Sequence, residues 1–286
     1  RVLSGDLHDI YNRPEAAAWD RLLEFGFSER MLKGFFVPFF AGVFFEPQLE
    51  MSQRAFEFTF RAFALGDTAL PARGMQAIPD QLATHLVDGT VVFDCHVANV
   101  ESGRITTTEG HTYRAKAVVL ATDGVAAAKL LSKPWPATRG TSCFYFTADK
   151  PPLDEPILVL NAEDEGPVNS LLCPSNLSSN YAPEGAALIT VNVFGVVNDL
   201  ARTEQAIRGQ LRGWFGPDVD QWRRISVYRL PHALPAQLPP QSDPSKRSLR
   251  IDQGLWCCSE ACSAASIHWA LHTGRRAGSE IASCLG

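Results

Sequence analysis

Groups able to do chemistry gather in Gly254–Ile281, GLWCCSEACSAASIHWALHTGRRAGSEI. Cys257, Cys258 and Cys262 lie close together, but no His-rich partner stands at ligand spacing, so no metal site is expected. Ser259 and Glu260 offer a hydroxyl and a carboxylate at the start of a small-residue loop, 259–265. Ser266 can cap a helix carrying Ile267, Ala270, Leu271, Gly274 and Ala277 on one face. The first N–H groups of that helix would point at the loop and suit an electron-rich group. Arg275 and Arg276 fall in its C-terminal half, where the helix dipole favours cations. Gly274 and Gly278 would let the helix lie close to a sheet. His232, in the run Pro231–Pro235, reads as a structural or surface residue, and no side chain stands out as a general acid or base.

Other elements must hold this stretch in place. Leu255 and Trp256 lead a strand, 254–258, into the loop. The apolar run of 115–124, AKAVVLATDG, predicts a second strand, buried on both faces, ending in Ala121 and Thr122. Residues 91–100 alternate as a strand, Ser102-Gly103 turns, and 105–108 returns. The first 70 residues read as helical: 16–23, then 29–36 ended or kinked by Pro38, then a turn at Gly42-Val43-Phe44. Ser52 caps a third helix with Phe56, Phe60 and Phe63 on one stripe. Twelve of the 17 Phe lie between Phe25 and Phe63, and pack as a core or wall a pocket for an apolar substrate. Pro79 and Asp80 suit the first turn of a short helix. Strands are expected at 141–146, 157–160, 168–173, 187–194 and 221–230. A helix at 204–214 would be capped by Thr203, and a polar, Pro-rich linker would span 235–248.

The composition narrows the class. The chain has 286 residues, is 45% hydrophobic and carries a net charge of −5. That suits one large or two small globular domains. With no basic block, nucleic acid is not an expected partner. Seven Cys, an odd number without framework spacing, point to free thiols in a reducing compartment, cytoplasm or plastid, with the organelle left open. The longest apolar run, 31–45, holds Lys33 and Pro38 and falls short of the roughly 20 residues a membrane span needs. The pattern is compatible with contact at a membrane surface.

Ser266-Ile267, Ala270-Leu271 and Gly274-Arg275-Arg276-Ala277 match the C-terminal segment of the flavin-containing amine oxidoreductase family, which groups amine oxidase, protoporphyrinogen oxidase and phytoene desaturase-like enzymes. Gly74, Met75, Ile78, Pro79, Leu82 and Ala83, the run through Ala121-Thr122, and the 36–52 block resemble further segments of that family, in the same order. The resemblance implies an α/β fold of two interleaved domains. A partial Rossmann-like flavin domain would collect 71–132 and 248–286. A substrate domain with mixed or antiparallel sheet and helices would collect 1–70 and 133–247. It implies bound FAD, with Val97, Ala121, Thr122, Ser259, Glu260, Ser266 and Ile267 as cofactor-binding residues. It implies an oxidoreductase acting on an apolar small molecule.

The sequence departs from the family at Arg73, which replaces a common Gly, and at further positions. Asp123 replaces a Pro, Ser259 a Gly, and His268-Trp269 an Asn-Gly pair. No G-x-G-x-x-G, the turn that holds a dinucleotide pyrophosphate, occurs in these residues. Two readings follow: a flavoenzyme whose pyrophosphate unit comes from a further N-terminal segment or a protein partner, or a non-catalytic relative serving as a structural or assembly subunit without flavin. At Trp269 the ring either packs away on the substrate domain or fills the flavin's place.

Overall fold

The computed structural model describes residues 2–3, 7–134, 137–163 and 165–286. Its N-terminal part is helical. Helix α1 (Ala18–Glu24) buries Leu22, and α2 (Glu29–Met31) runs through a π-helical turn (Leu32–Phe36) into α3 (Val37–Phe44). Pro38 therefore neither ends nor breaks the helix. The Val37 N–H donates to the Leu32 carbonyl five residues back, and Pro38 follows at the start of α3, where a missing N–H costs little. The turn expected at Gly42 is also corrected: it is helical, and the chain turns only at Phe45, in the left-handed region with φ 51°. Gly42 serves close packing instead, since a Cβ there would stand 2.8 Å from Asn169 Nδ2. Helix α4 (Gln53–Leu65) is capped by the Ser52 hydroxyl, which accepts from Arg54 N–H at 3.1 Å. Phe36, Phe40, Phe44 and Phe56 form one core with Leu22, Leu32 and Met51.

Three sheets follow the short α5 (Ala77–Ala83). Strands β1 (Val97–Glu101), β2 (Arg104–Thr107) and β3 (Thr112–Arg114) form an antiparallel meander. Residues 91–96, expected to begin β1, lie outside it, with Val92 and Phe93 exposed. After β4 (Val118–Leu120) and α6 (Gly124–Leu131) comes the largest sheet. It joins β5 (Thr138–Ala148), β6 (Val159–Leu160), β7 (Val168–Leu172), β8 (Ala187–Phe194) and, after α7 (Leu200–Phe215), β9 (Arg223–Pro235), in the order β6-β7-β8-β5-β9. On β8, Ala187, Ile189, Val191 and Val193 are buried while the residues between them are half-buried, the period of two that marked this strand. That buried face meets Ile207 and Leu211 of α7. The cap of α7 is Asp199, which accepts from Arg202 N–H at 3.0 Å; Thr203 instead donates back to the Asp199 carbonyl.

The third sheet positions the site. Its order is β10 (Arg250–Asp252), β11 (Leu255–Cys257), β4. Strand β4 is thus at an edge, and Val119 is exposed rather than buried as the apolar run suggested. Helix α8 (Ile267–Leu285) closes the chain. It buries Trp269, Thr273 and Ala277, whereas Ile267, Leu271, Gly274 and Gly278 face out, so the inward face is rotated from the one expected. Gly274 and Gly278 meet nothing within 4 Å of a built Cβ, so they mediate no close approach to the sheet. Among the described residues, no helix is long and apolar enough to cross a membrane.

Candidate functional site

Strands β4 and β11 run parallel, with Leu255 opposite Val118, Trp256 opposite Val119 and Cys257 opposite Leu120. The Cys258 N–H continues the ladder to the Leu120 carbonyl at 2.8 Å. Residues 121–122 and 259–260 therefore leave the sheet side by side at its carboxyl edge, where open α/β sheets hold ligands. Leu120, Leu255 and Cys257 pack under this edge with Val97 and Val100 of β1. The geometry brings Val97, Ala121, Thr122, Ser259 and Glu260 into one region although they are far apart in sequence.

The residues differ in what they offer. Ala121 and Thr122 are exposed. Val97 is half-buried on β1, an edge strand of its sheet, and Glu260 is half-buried in the loop. Ser259 is 5% exposed, and its hydroxyl lies 3.9 Å from the Cys262 sulfur, so its side chain turns inward. Ser266 accepts from Trp269 N–H at 3.1 Å as the α8 cap. The backbone N–H groups of Ile267 and His268 have no acceptor among the described residues, and Ile267 is 50% exposed. Two donors at the positive end of a long helix thus face open space.

Trp269 packs away from that space. It is 4% exposed, its ring centroid 5.7 Å from Phe58 of α4 and 5.1 Å from His272. Between α8 and α4 a space of about 20 Å³ remains, bordered by Phe58, Thr59, Gln237, Gln241, Ser266 and Trp269. It admits about one water and no ring system. That space is too small for a flavin ring, whereas Ala121, Thr122, Ile267 and His268 are exposed. Exposed amides and the half-buried Glu260 carboxylate could meet the polar groups of a flavin's ring and sugar, and no glycine-rich cradle for its pyrophosphate occurs in these residues.

Three contributors carry no sequence signal of their own. Asp123 caps α6 with Oδ1, accepting from Val125 and Ala126 N–H at 2.9 and 3.0 Å. Arg247 lies in the expected linker, yet it donates to the Ser263 carbonyl at 2.9 Å and to Ser242 Oγ at 3.1 Å, while its own carbonyl accepts from Arg276. Gln237 joins three parts: its carbonyl accepts from Ser52 N–H at 2.7 Å and its side chain from Ala265 N–H at 3.3 Å. The 235–248 segment is thus a brace for the loop before α8. Only a polar residue buried in an apparent linker could have hinted at this.

The clustered Phe residues form both a core and a cleft. A cleft of about 340 Å³ is lined by Leu22, Phe25, Phe27, Phe36, Phe56 and Phe60. Phe44 is buried elsewhere in the core, and Phe35 stacks on Phe39 at 5.7 Å. Phe56 faces the cleft and Phe58 faces Trp269, and two residues on a helix are about 200° apart. The cleft and the α8 N-terminus therefore lie on different sides of α4. His232 bonds Thr138 Oγ1 at 2.7 Å on β9.

No curated protein matches the chain. Among solved structures, an oxidoreductase from Methanosarcina mazei aligns with a TM-score of 0.69 at 14% identity, over 95% of this chain and 70% of its own. Cyclohexylamine oxidase from Brevibacterium oxydans aligns at 0.67 and 13%, over 100% and 71%. A Pyrococcus furiosus protein aligns at 0.66 and 14%, over 91% of this chain and 66% of its own, so the chain spans about two-thirds of its length. These likenesses show the fold. The model of flavin-containing amine oxidoreductases matches residues 7–282, and the chain belongs to that family.

Proposed function

We propose that this chain works as an FAD-dependent oxidoreductase that removes a hydride from a C–N or C–C bond of an apolar small molecule. The observation that carries the reading is the parallel pairing of β4 with β11, which sets the 121–122 and 259–260 loops at one carboxyl edge, the second leading on to α8. When bound, a flavin supplies the hydride acceptor. The Ile267 and His268 N–H groups would hold an electron-rich edge of it, and Glu260 would accept from ribityl or ribose hydroxyls. Ser259 acts from beneath, by shaping the loop. The protein's further part is to orient substrate and keep water out, and no proton transfer is assigned to a side chain. In this reading 71–132 and 248–286 face the cofactor, and 1–70 and 133–247 face the substrate.

The half-open face of the large sheet is the better substrate surface. Cys143, Tyr145, Thr190 and Asn192 lie on it, Cys143 pairs with Tyr228 across β5 and β9, and the two Tyr rings meet edge to face at 5.5 Å. Burial holds the Tyr145 hydroxyl up at about 12 and raises the Cys143 thiol, so both present neutral groups. An amine with an apolar body, as in the name cyclohexylamine oxidase, is the first substrate class to test.

The rival reading is a non-catalytic relative that binds no flavin. It draws on the inward Ser259, the bulk at Trp269 and the narrow space beside α4. The visible spectrum of the purified protein separates them. Bound oxidised flavin gives a blue-region absorption band that survives dialysis, and a protein that stays colourless after incubation with FAD supports the rival.

A further inference from the structure

We propose that Cys257 and Cys262 form a reversible dithiol–disulfide pair oxidised by peroxides, with Cys262 as the attacking thiol and Cys257 as the resolving one. Their Sγ atoms lie 3.4 Å apart. Cys257 is fixed at the end of β11, where its N–H donates to the Leu249 carbonyl at 2.8 Å. Cys262 sits on the one-turn helix Glu260–Cys262, tied by its N–H to the Ser259 carbonyl at 3.0 Å. Cys258, though adjacent, points to the other face of its strand. It packs with Leu249, Trp256 and Ala277, whereas Cys257 packs with Leu120, Leu255 and Ala127. Cys262 borders both clusters, and its 3.4 Å contact with the Cys257 sulfur selects the partner.

The two thiols are also unequal. Cys257 and Cys258 are buried, while Cys262 is half-buried and open to a small oxidant. The two sulfurs share one hydrogen bond: the Cys262 S–H donates to Cys257 while both are thiols, and the Cys257 S–H donates once Cys262 is ionised. That contact lowers the Cys262 thiol from 9.0 to about 6, with the Ser259 hydroxyl and N–H helping against burial. It holds the Cys257 thiol well above the usual range, and burial adds to this. A thiolate beside a protonated thiol is the arrangement an oxidisable pair needs.

The chemistry balances in two steps. The Cys262 thiolate attacks the peroxide's outer oxygen, the O–O bond breaks, and the alkoxide or hydroxide released takes a proton; Cys262 becomes a sulfenic acid. The Cys257 sulfur then attacks the Cys262 sulfur, the S–O bond breaks, and the Cys257 proton leaves with the hydroxyl as water. Two thiols are oxidised and one peroxide is reduced. Forming an S–S bond of about 2.05 Å draws the sulfurs about 1.3 Å closer, which moves the 259–262 turn toward β11.

The test is thiol mapping of reduced protein treated with hydrogen peroxide, alkylated and digested. The expected result is loss of two alkylation sites in the peptide carrying Cys257, Cys258 and Cys262, restored by dithiothreitol. In Cys258→Ser the disulfide still forms. In Cys257→Ser, Cys262 stops at a sulfenic acid that dimedone traps. The proposal is overturned if the wild type keeps all three thiols alkylatable at a dose that oxidises exposed Cys284, or if the disulfide contains Cys258. The wild-type map decides alone should a variant fail to fold. None of these readouts depends on flavin.

Discussion

At the scale of single residues, Trp269 decides how the family resemblance should be taken. Its ring packs on Phe58, so it anchors α8 to α4 and leaves the Ile267 and His268 amides open. Trp269→Gly should therefore not free a cofactor site. It should destabilise the fold by about 3–5 kcal/mol through the cavity left, plus about 1 kcal/mol for Gly within a helix, read as a lower urea midpoint. Unchanged stability would mean the ring is not packed there. Cys262 supplies a pH prediction. Its folded-state value of about 6 lies below the free-thiol value, so it is thiolate above that point and thiol below. Iodoacetamide labelling of Cys262 should rise through a midpoint near 6, well below that of free glutathione labelled alongside. A shared midpoint would contradict the shared proton between Cys257 and Cys262.

Among elements, caps and close approaches explain which boundaries the sequence discloses. Ser52 and Ser266 are capping residues beside strong apolar spacing, and both cap as expected. Asp123 reads only as a departure from the family, yet it starts α6 with two hydrogen bonds. Asp123→Ala should lower stability by about 0.5–2 kcal/mol, with Asp123→Asn recovering most of it in the same denaturation experiment. Gly140 sits in the bulge where β5 shifts register against β9, and a Cβ there would meet the Leu230 and Pro231 carbonyls at 3.0 and 3.2 Å. Gly140→Ala should cost about 1–3 kcal/mol, and a neutral substitution would show that the strands give way. Strand β8 is legible because its faces differ. Strand β4 is legible as a strand but its burial is not, because burial on a second face depends on which strand lies beside it, and local sequence does not encode that. The inward face of α8 was misjudged for a similar reason: Gly and Ala fit either face, and the bulk of Trp269 settles the rotation.

For the whole molecule, the candidate site is an adjacency rather than a motif. Ala121 and Ser259 are 138 positions apart by number and become neighbours only through the β4–β11 ladder. Family order made that juxtaposition expected, whereas the bracing by Gln237 and Arg247 came from a segment that reads as linker. The cleft among the Phe residues shows the limit of composition: an aromatic cluster does not tell which side of α4 it opens toward. The central claim is that flavin lies along the carboxyl edge of β4 and β11. Its most direct measurement is the flavin absorption retained after FAD loading and dialysis by the natural full-length protein, compared with Ala121→Trp at an exposed position that leaves the core intact. Bound flavin is expected in the wild type, and its loss in a folded Ala121→Trp protein. A colourless wild type, or a variant that keeps its full flavin content, would contradict it.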